Sequence, residues 1–344
     1  MECQYCHQDI ADKTYQTHLG MCSERPKEAE AALLTDQNVG SHSVAPMLEN
    51  EVMEVFYPTS DPYFLVSENV IEALKVTEAI SRKHPANLLI TGRPGGGKTT
   101  LAIEFAARFN RPAVVIDFGV LQEPQQLFQT TRLIQGSGDS MLTDVRESGF
   151  VKGLETKDCV VVMDEINRPE NERVLNVLMP LLDGRRNAWI EDLRRRIYVA
   201  DNVIFVATLN EGSLFCGITS IDLALRDRFR EVFLDYLPVE SEAKVLEVKT
   251  GIPRIIASSL AEFACAVRNT PVISKKISTR QLLYAAEAYS EGTPLWEAVS
   301  TAIGSSNDLG WRQQVLEIFS LNIKDATEYE KWINKPRELR YVQY

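Results

Sequence analysis

Residues 91–100 read TGRPGGGKTT, set between the apolar run ANLLIT (86–91) and TTLAIEFAARF (99–109), where Leu101, Phe105 and Phe109 recur at helical spacing. Gly92, Gly97, Lys98 and Thr99 satisfy G-x-x-x-x-G-K-[ST] with a strand before and a helix after, the context that gives this motif meaning. Pro94, Gly95 and Gly96 fill the loop, and Thr100 follows it into the helix. Glycines let successive backbone N–H groups wrap phosphates at a helix N-terminus. Lys98 supplies a point charge for the β and γ oxygens, and Thr99 offers a hydroxyl to Mg²⁺. The expected ligands are ATP and Mg²⁺.

Two further apolar runs support an alternating strand and helix order. PAVVIDF (112–118) reads as a second strand, and CVVVMDEINRP (159–169) is the continuous apolar run of a central parallel strand. Asp164 ends that run and is expected to hold Mg²⁺ beside Thr99; the adjacent Glu165 is the candidate base for an attacking water. A small-molecule kinase has less use for that glutamate, so the pair favours hydrolysis. NVIFVATLN (202–210) is another strand with Asn210 at its tip, placed to meet the γ-phosphate or the water. DLALRDRF (222–229) supplies Arg226 and Arg228, and ISTRQLL (277–283) supplies Arg280 early in a helix capped by Ser278 or Thr279. These elements predict an α/β fold, a parallel sheet covered on both faces.

The 344 residues are 44% hydrophobic and 25% charged, with no run near the roughly 18 apolar residues of a membrane helix. The start, MECQYCHQDI, lacks a basic and apolar leader, so the cytoplasm is the expected location. Ten acids against three bases fall in residues 1–55, which therefore carry −7 of the net −11. A basic nucleic-acid footprint is absent at the level of whole regions. Six cysteines in such a chain favour metal ligands or buried thiols over disulfides, and Cys216 and Cys265, flanked by apolar residues, read as buried thiols.

CQYCHQDIADKTYQTHLGMC (3–22) presents Cys3, Cys6, His18 and Cys22. A Cys-x2-Cys turn and an i, i+4 pair on a helix suit tetrahedral Zn²⁺, which leaves His7 spare. The layout is similar to small Cys-Cys-His-Cys fingers, among them ubiquitin-binding ones in DNA repair. Residues 23–56 are acidic and aperiodic, a tether. Ser67 is a candidate cap for a helix with Ile71, Leu74 and Ile80 inward. In the tail, IIASSLAEFACAVRN (255–269) is amphipathic and GTPLWEAVSTAI (292–303) offers Thr293 as cap with Pro294 in the first turn.

The succession of phosphate loop, Asp164 with Glu165, Asn210, arginine before phenylalanine and Arg280 resembles the AAA+ ATPases. Within them it resembles the MoxR type, which includes the CbbQ, NirQ and CobS proteins. DEINR (164–168) is close to that group's signature, RFNRPAVVID (108–117) looks most like CobS, and the similarity runs over roughly residues 57–290. The zinc finger (1–22) and linker (23–56) are read from the residues alone, and such a finger is not a usual part of these proteins. The resemblance implies an AAA+ module (57–237) and a helical lid with C-terminal helices (238–344). It makes Asn210 sensor 1, Arg228 a finger reaching the neighbouring subunit's nucleotide, with Arg226 as competitor, and Arg280 sensor 2. It also makes TRLIQGSGDSMLTDVRESGFVKGLE (131–155), too long and glycine-punctuated for one helix, a pore-facing insertion. The implied activity is Mg²⁺-dependent ATP hydrolysis by a ring, expected to be a hexamer, that remodels a partner protein, such as one with a von Willebrand A-type domain. Two other readings stand beside it: a nucleic-acid motor or loader that uses the finger and Arg185, Arg186, Arg194, Arg195 and Arg196, and an adaptor that binds nucleotide with little turnover.

Overall fold

The run before the phosphate loop forms β1 (Ala86–Gly92), buried along its whole length. The computed structural model describes residues 54–135, 141–210, 221–273, 275–304 and 309–322. Cys3, Cys6, His18, Cys22 and Cys216 lie outside them. Four more strands join β1 in a parallel sheet: β2 (Ala113–Asp117), β5 (Val160–Asp164), β8 (Ile204–Asn210) and β9 (Arg230–Leu234), in the order β2-β5-β8-β1-β9. The expectation of a parallel sheet covered on both faces holds. Alternation within each strand divides the apolar side chains between two cores. Leu88, Ile90, Val160, Val162, Ile204 and Val206 pack under α1 (Glu68–Ser81) and α2 (Lys98–Arg108). Leu89, Val161, Met163, Phe205 and Ala207 face the other way.

That second face is covered by α3 (Gly149–Glu155) and by two one-turn helices, α4 (Arg173–Asn176) and α5 (Met179–Leu182). The predicted insertion is an antiparallel hairpin, β3 (Gln129–Gln135) with β4 (Met141–Glu147), which leads directly into α3. A second hairpin, β6 (Asn187–Ile190) with β7 (Arg195–Tyr198), precedes β8. Helix α3 lies so close to the sheet that a Cβ on Gly153 would fall 2.4 Å from Val114 Cγ1 of β2. Gly153→Ala is therefore expected to cost about 1–3 kcal/mol through overpacking. A chemical-denaturation midpoint equal to that of the parent would refute this contact.

After α6 (Leu223–Arg226) and β9 the chain is helical: α7 (Val239–Thr250), α8 (Arg254–Asn269), α9 (Thr279–Ser290), α10 (Leu295–Ala302) and α11 (Leu309–Asn322). These helices bury their own core, with Leu260, Phe263, Leu282, Trp296 and Val315 at its centre. Among the described residues no helix is long and apolar enough to cross a membrane.

Local expectations need three corrections, and one open alternative is decided. Ser67 does precede α1 but makes no side-chain cap bond, and Ile71 and Ile80 are only half-buried while Val70 and Leu74 are inside. Ser278, not Thr279, caps α9, accepting from the Gln281 N–H in a capping box. Helix α10 begins at Leu295 with Pro294, extended at ψ 138°, as its flanking residue, whose carbonyl accepts the first helical N–H from Ala298, so Thr293 lies one position outside the cap. Cys265 is half-buried at the edge of α8's apolar stripe and accepts from Asn269 Nδ2, whereas Cys159 is fully enclosed.

Candidate active site

Parallel register gathers the carboxyl ends of β1, β5 and β8 on one rim, with Gly92 opposite Asn210 and Asp164 closing β5. The phosphate loop leaves from that rim. Gly92 has φ +146°, and a Cβ there would lie 2.2 Å from the Leu234 carbonyl oxygen, so the neighbouring strand β9 dictates glycine. Gly97, at φ +87°, caps α2 in the left-handed region and aims the helix N-terminus into the loop. The Lys98 ammonium is buried and donates to the Gly92 and Arg93 carbonyls at 3.1 and 2.8 Å. Burial pulls its pKa down to about 8; Asp164 and Glu165 oppose that shift and Arg280 adds to it.

The two acids are set by a residue the sequence reading passed over. Thr208 of β8, 1% exposed, donates to Asp164 Oδ1 at 2.6 Å and accepts the Glu165 N–H at 2.9 Å. Thr99 donates to the same Asp164 oxygen at 2.7 Å. Glu165 sits at φ +51°, a left-handed conformation costing a non-glycine residue about 1–2 kcal/mol. It turns the carboxylate off the strand line, and its two oxygens meet Asn210 Nδ2 at 2.8 Å and Arg168 Nε at 2.8 Å. Asn167, buried, donates to the Asn210 carbonyl at 3.3 Å. Thr208 was detectable as a polar residue two before Asn210 in an apolar strand, hence on the same face.

A cavity opens beside the loop, walled by Phe64, Val66, Tyr236, Val245 and Leu283, with Gly95 to Gly97, Thr100 and Arg280 at its polar end. Its apolar walls come from three segments distant in sequence. Arg280 is exposed, on the turn whose Ser278 would collide with a Cβ on Gly95. The donor set fits a polyphosphate with a divalent cation: a left-handed glycine loop, a helix N-terminus and an ammonium for the one, a hydroxyl and a carboxylate oxygen 2.7 Å apart for the other.

Arg228 is not brought to this rim. Arg230 pairs with Leu88, and the Arg228 carbonyl accepts Asn87 Nδ2 at 2.9 Å, so Arg228 lies at the amino ends of the strands. At about 3.3 Å per residue that is roughly 20 Å from the loop along β1. Its guanidinium donates to the Ala224 carbonyl, and its Nε is buried without a protein partner. Arg226 is ion-paired to Glu231 at 2.7 Å, and Glu231 accepts from the Thr91 hydroxyl at 3.1 Å. In the hairpin cluster Arg185 pairs with Asp183 and Arg195 with Glu147 and Glu155, while Arg186 lies half-buried over the Phe205 ring and is bonded to the Val203 carbonyl.

Comparison with known proteins adds to the geometry. The family model for the AAA domain of the dynein-related subfamily matches residues 87–229, and that for the CbbQ/NirQ/NorQ C-terminal region matches residues 242–318. "Putative chaperone BssE" of Thauera aromatica is 35% identical over 254 residues, which cover 74% of this chain and 87% of that protein. Midasin of Dictyostelium discoideum is 28% identical over 174 residues, 51% of this chain but 3% of Midasin. Among solved structures, a point mutant of Thermotoga maritima RuvB matches at 19% identity and a TM-score of 0.42, covering 80% of this chain and 99% of that one. The two family models, laid end to end over the sheet and the helices after it, together with the BssE match, assign the chain to the MoxR-type AAA+ ATPases.

Proposed function

We propose that this ATPase works as a hexameric ring that uses ATP hydrolysis to remodel a client protein, with a von Willebrand A-type domain as the expected kind of partner. The observation that carries the reading is the distance between Arg228 and its own phosphate loop. Thr99, Asp164, Glu165 and Asn210 converge on one rim, whereas the arginine expected to offset transition-state charge stands at the opposite edge. A finger so located serves a neighbour's site. A ring supplies that neighbour on every edge.

In this reading Gly92, Pro94, Gly95, Gly96, Gly97, Lys98, Thr99 and Thr100 bind the phosphates, and the Phe64, Tyr236, Val245 and Leu283 walls take the base. Thr99 and Asp164 hold magnesium, which when bound neutralises charge on the β and γ oxygens. Glu165 orients the attacking water and accepts its proton; Asn210 fixes the carboxylate; Arg280 reads the γ-phosphate from the helical lid. The division into an AAA+ module to residue 237 and a lid beyond it draws support from the change from sheet to helices after β9. The β3–β4 hairpin faces the pore.

Engagement of Arg185, Arg186 and Arg195 inside the chain favours a protein client over nucleic acid. The test is ATPase rate with single-stranded DNA, duplex DNA or RNA added, and sedimentation in ATP. No stimulation and a species of six times the 38.7 kDa chain are expected. Stimulation by nucleic acid on the order of tenfold, or a monomer at saturating ATP, overturns the reading.

Residues 1–22 are proposed to hold one Zn²⁺ through Cys3, Cys6, His18 and Cys22, on the strength of their spacing. A segment so short gains its fold from the metal. Elemental analysis of protein purified without chelators is expected to find one zinc per chain, lost in Cys6→Ser. Zinc-free protein ends the proposal.

A further inference from the structure

A buried ion pair in the helical part lies where the lid meets the nucleotide cavity. Arg268 of α8 and Glu242 of α7 are 10% and 1% exposed, joined by Nη1 to Oε2 at 2.7 Å and Nη2 to Oε1 at 2.9 Å. Arg268 Nε donates to the Ile277 carbonyl at 2.9 Å, and the guanidinium carbon lies 3.8 Å from the centre of the Tyr236 ring. Glu242 Oε1 also accepts from Thr279 Oγ1 at 2.6 Å.

Each of those partners belongs to the cavity or adjoins it. Tyr236 and Thr279 line it. Ile277 and Thr279 flank Ser278, the cap of α9 that packs against Gly95, and Arg280 follows Thr279. One guanidinium thus grips the wall of the apolar end and, through Ile277 and Glu242, both sides of the turn that carries Arg280. Holding two charges in the interior is no efficient route to stability, since apolar residues of equal volume often serve as well or better. What a planar fork adds is fixed direction.

We propose that the Arg268–Glu242 pair is a positioning element that sets the start of α9, and with it Arg280, against the Tyr236 wall, so that lid and phosphate loop meet the two ends of ATP as one rigid unit. The pair acts through Tyr236 and Arg280 and touches no nucleotide. This rests on the proposed assignment of Arg280 to the phosphate end.

The test compares kcat, KM and Tm for Arg268→Lys, which keeps the charge but loses the fork, and for Thr279→Val, which loses only the hydroxyl. Both are made in the parent and in Arg280→Ala. A third protein, Arg268→Met with Glu242→Leu, removes both charges together and leaves neither stranded. The expected result is a kcat loss on the order of 10–100-fold in Arg268→Lys, larger than its change in KM. Thr279→Val loses less, and neither change lowers kcat further in the Arg280→Ala background. A folded Arg268→Met, Glu242→Leu protein with parental kcat and KM overturns the proposal, as does a loss fully additive with Arg280→Ala. If Arg280→Ala alone turns over at the parental rate, the phosphate assignment fails and takes the positioning role with it. A slow Arg280→Ala beside a normal Arg268→Lys sinks the positioning role alone.

Discussion

Glu165→Gln is expected to lower ATP turnover by about 10²–10⁴-fold while nucleotide and Mg²⁺ still bind. The amide keeps the shape of the side chain, and its oxygen still accepts from Asn210 Nδ2, which now holds the carboxylate at 2.8 Å. What the amide loses is the capacity to take a proton from water. The left-handed backbone at residue 165 should survive, because the Thr208 hydroxyl that fixes its N–H is unaffected. The phosphate loop, Thr99 and Asp164 are equally untouched. The variant should therefore accumulate as an ATP-loaded assembly, suited to capturing the client. Single-turnover hydrolysis and nucleotide binding by a fluorescent analogue separate the two effects. Parental turnover in this variant would remove Glu165 from the reaction.

Arg228→Ala should abolish turnover without abolishing nucleotide binding, since a finger arginine contributes on the order of 10³–10⁵ in rate in P-loop enzymes. Its position at the amino ends of the strands makes the effect testable by mixing. An Arg228→Ala subunit retains its own Lys98 and Glu165, and a Lys98→Ala subunit retains its own Arg228. Rings assembled from both should contain interfaces at which the intact halves meet, and activity should return there. Recovery with Arg226→Ala in place of Arg228→Ala, and not with Arg228→Ala, would transfer the role to Arg226. The Arg226–Glu231 pair, tied to Thr91, argues against that outcome, because removing Arg226 strips a carboxylate of its counter-charge beside the loop. If neither mixture recovers in rings shown to be mixed, linked single-chain subunits become the deciding experiment, and activity there only when the arginine sits in the adjacent subunit sustains the assignment.

The phosphate loop, the strand before it and the acidic pair at 164 and 165 were legible in the sequence because each is local. A ten-residue motif needs only its flanks, and a run such as CVVVMD states its burial by having no polar face. The cap of α9 was narrowed to two adjacent residues for the same reason. Caps are chosen by bonds within three residues, and the choice of Ser278 over Thr279 turned on one of them.

Tertiary structure decided what lies across the sheet. Thr208 is 44 residues from Asp164, yet its hydroxyl orders both acids, and only the parallel pairing of β5 with β8 brings them together. The same register sends Arg228 to the far edge, although its neighbourhood in the sequence gives no hint of direction. Spacing made five arginines in the hairpin look like one cationic cluster; folding laid Arg186, half-buried, over the Phe205 ring with its guanidinium on the Val203 carbonyl, and paired Arg185 and Arg195 with acids nearer the surface. The sequence by itself therefore determined the phosphate chemistry and the alternating elements, whose signals are periodic or contiguous. The tertiary structure determined which groups face the phosphate loop and which lie at the other end of the sheet, because that is set by strand register and desolvation, and both act between residues far apart in the chain.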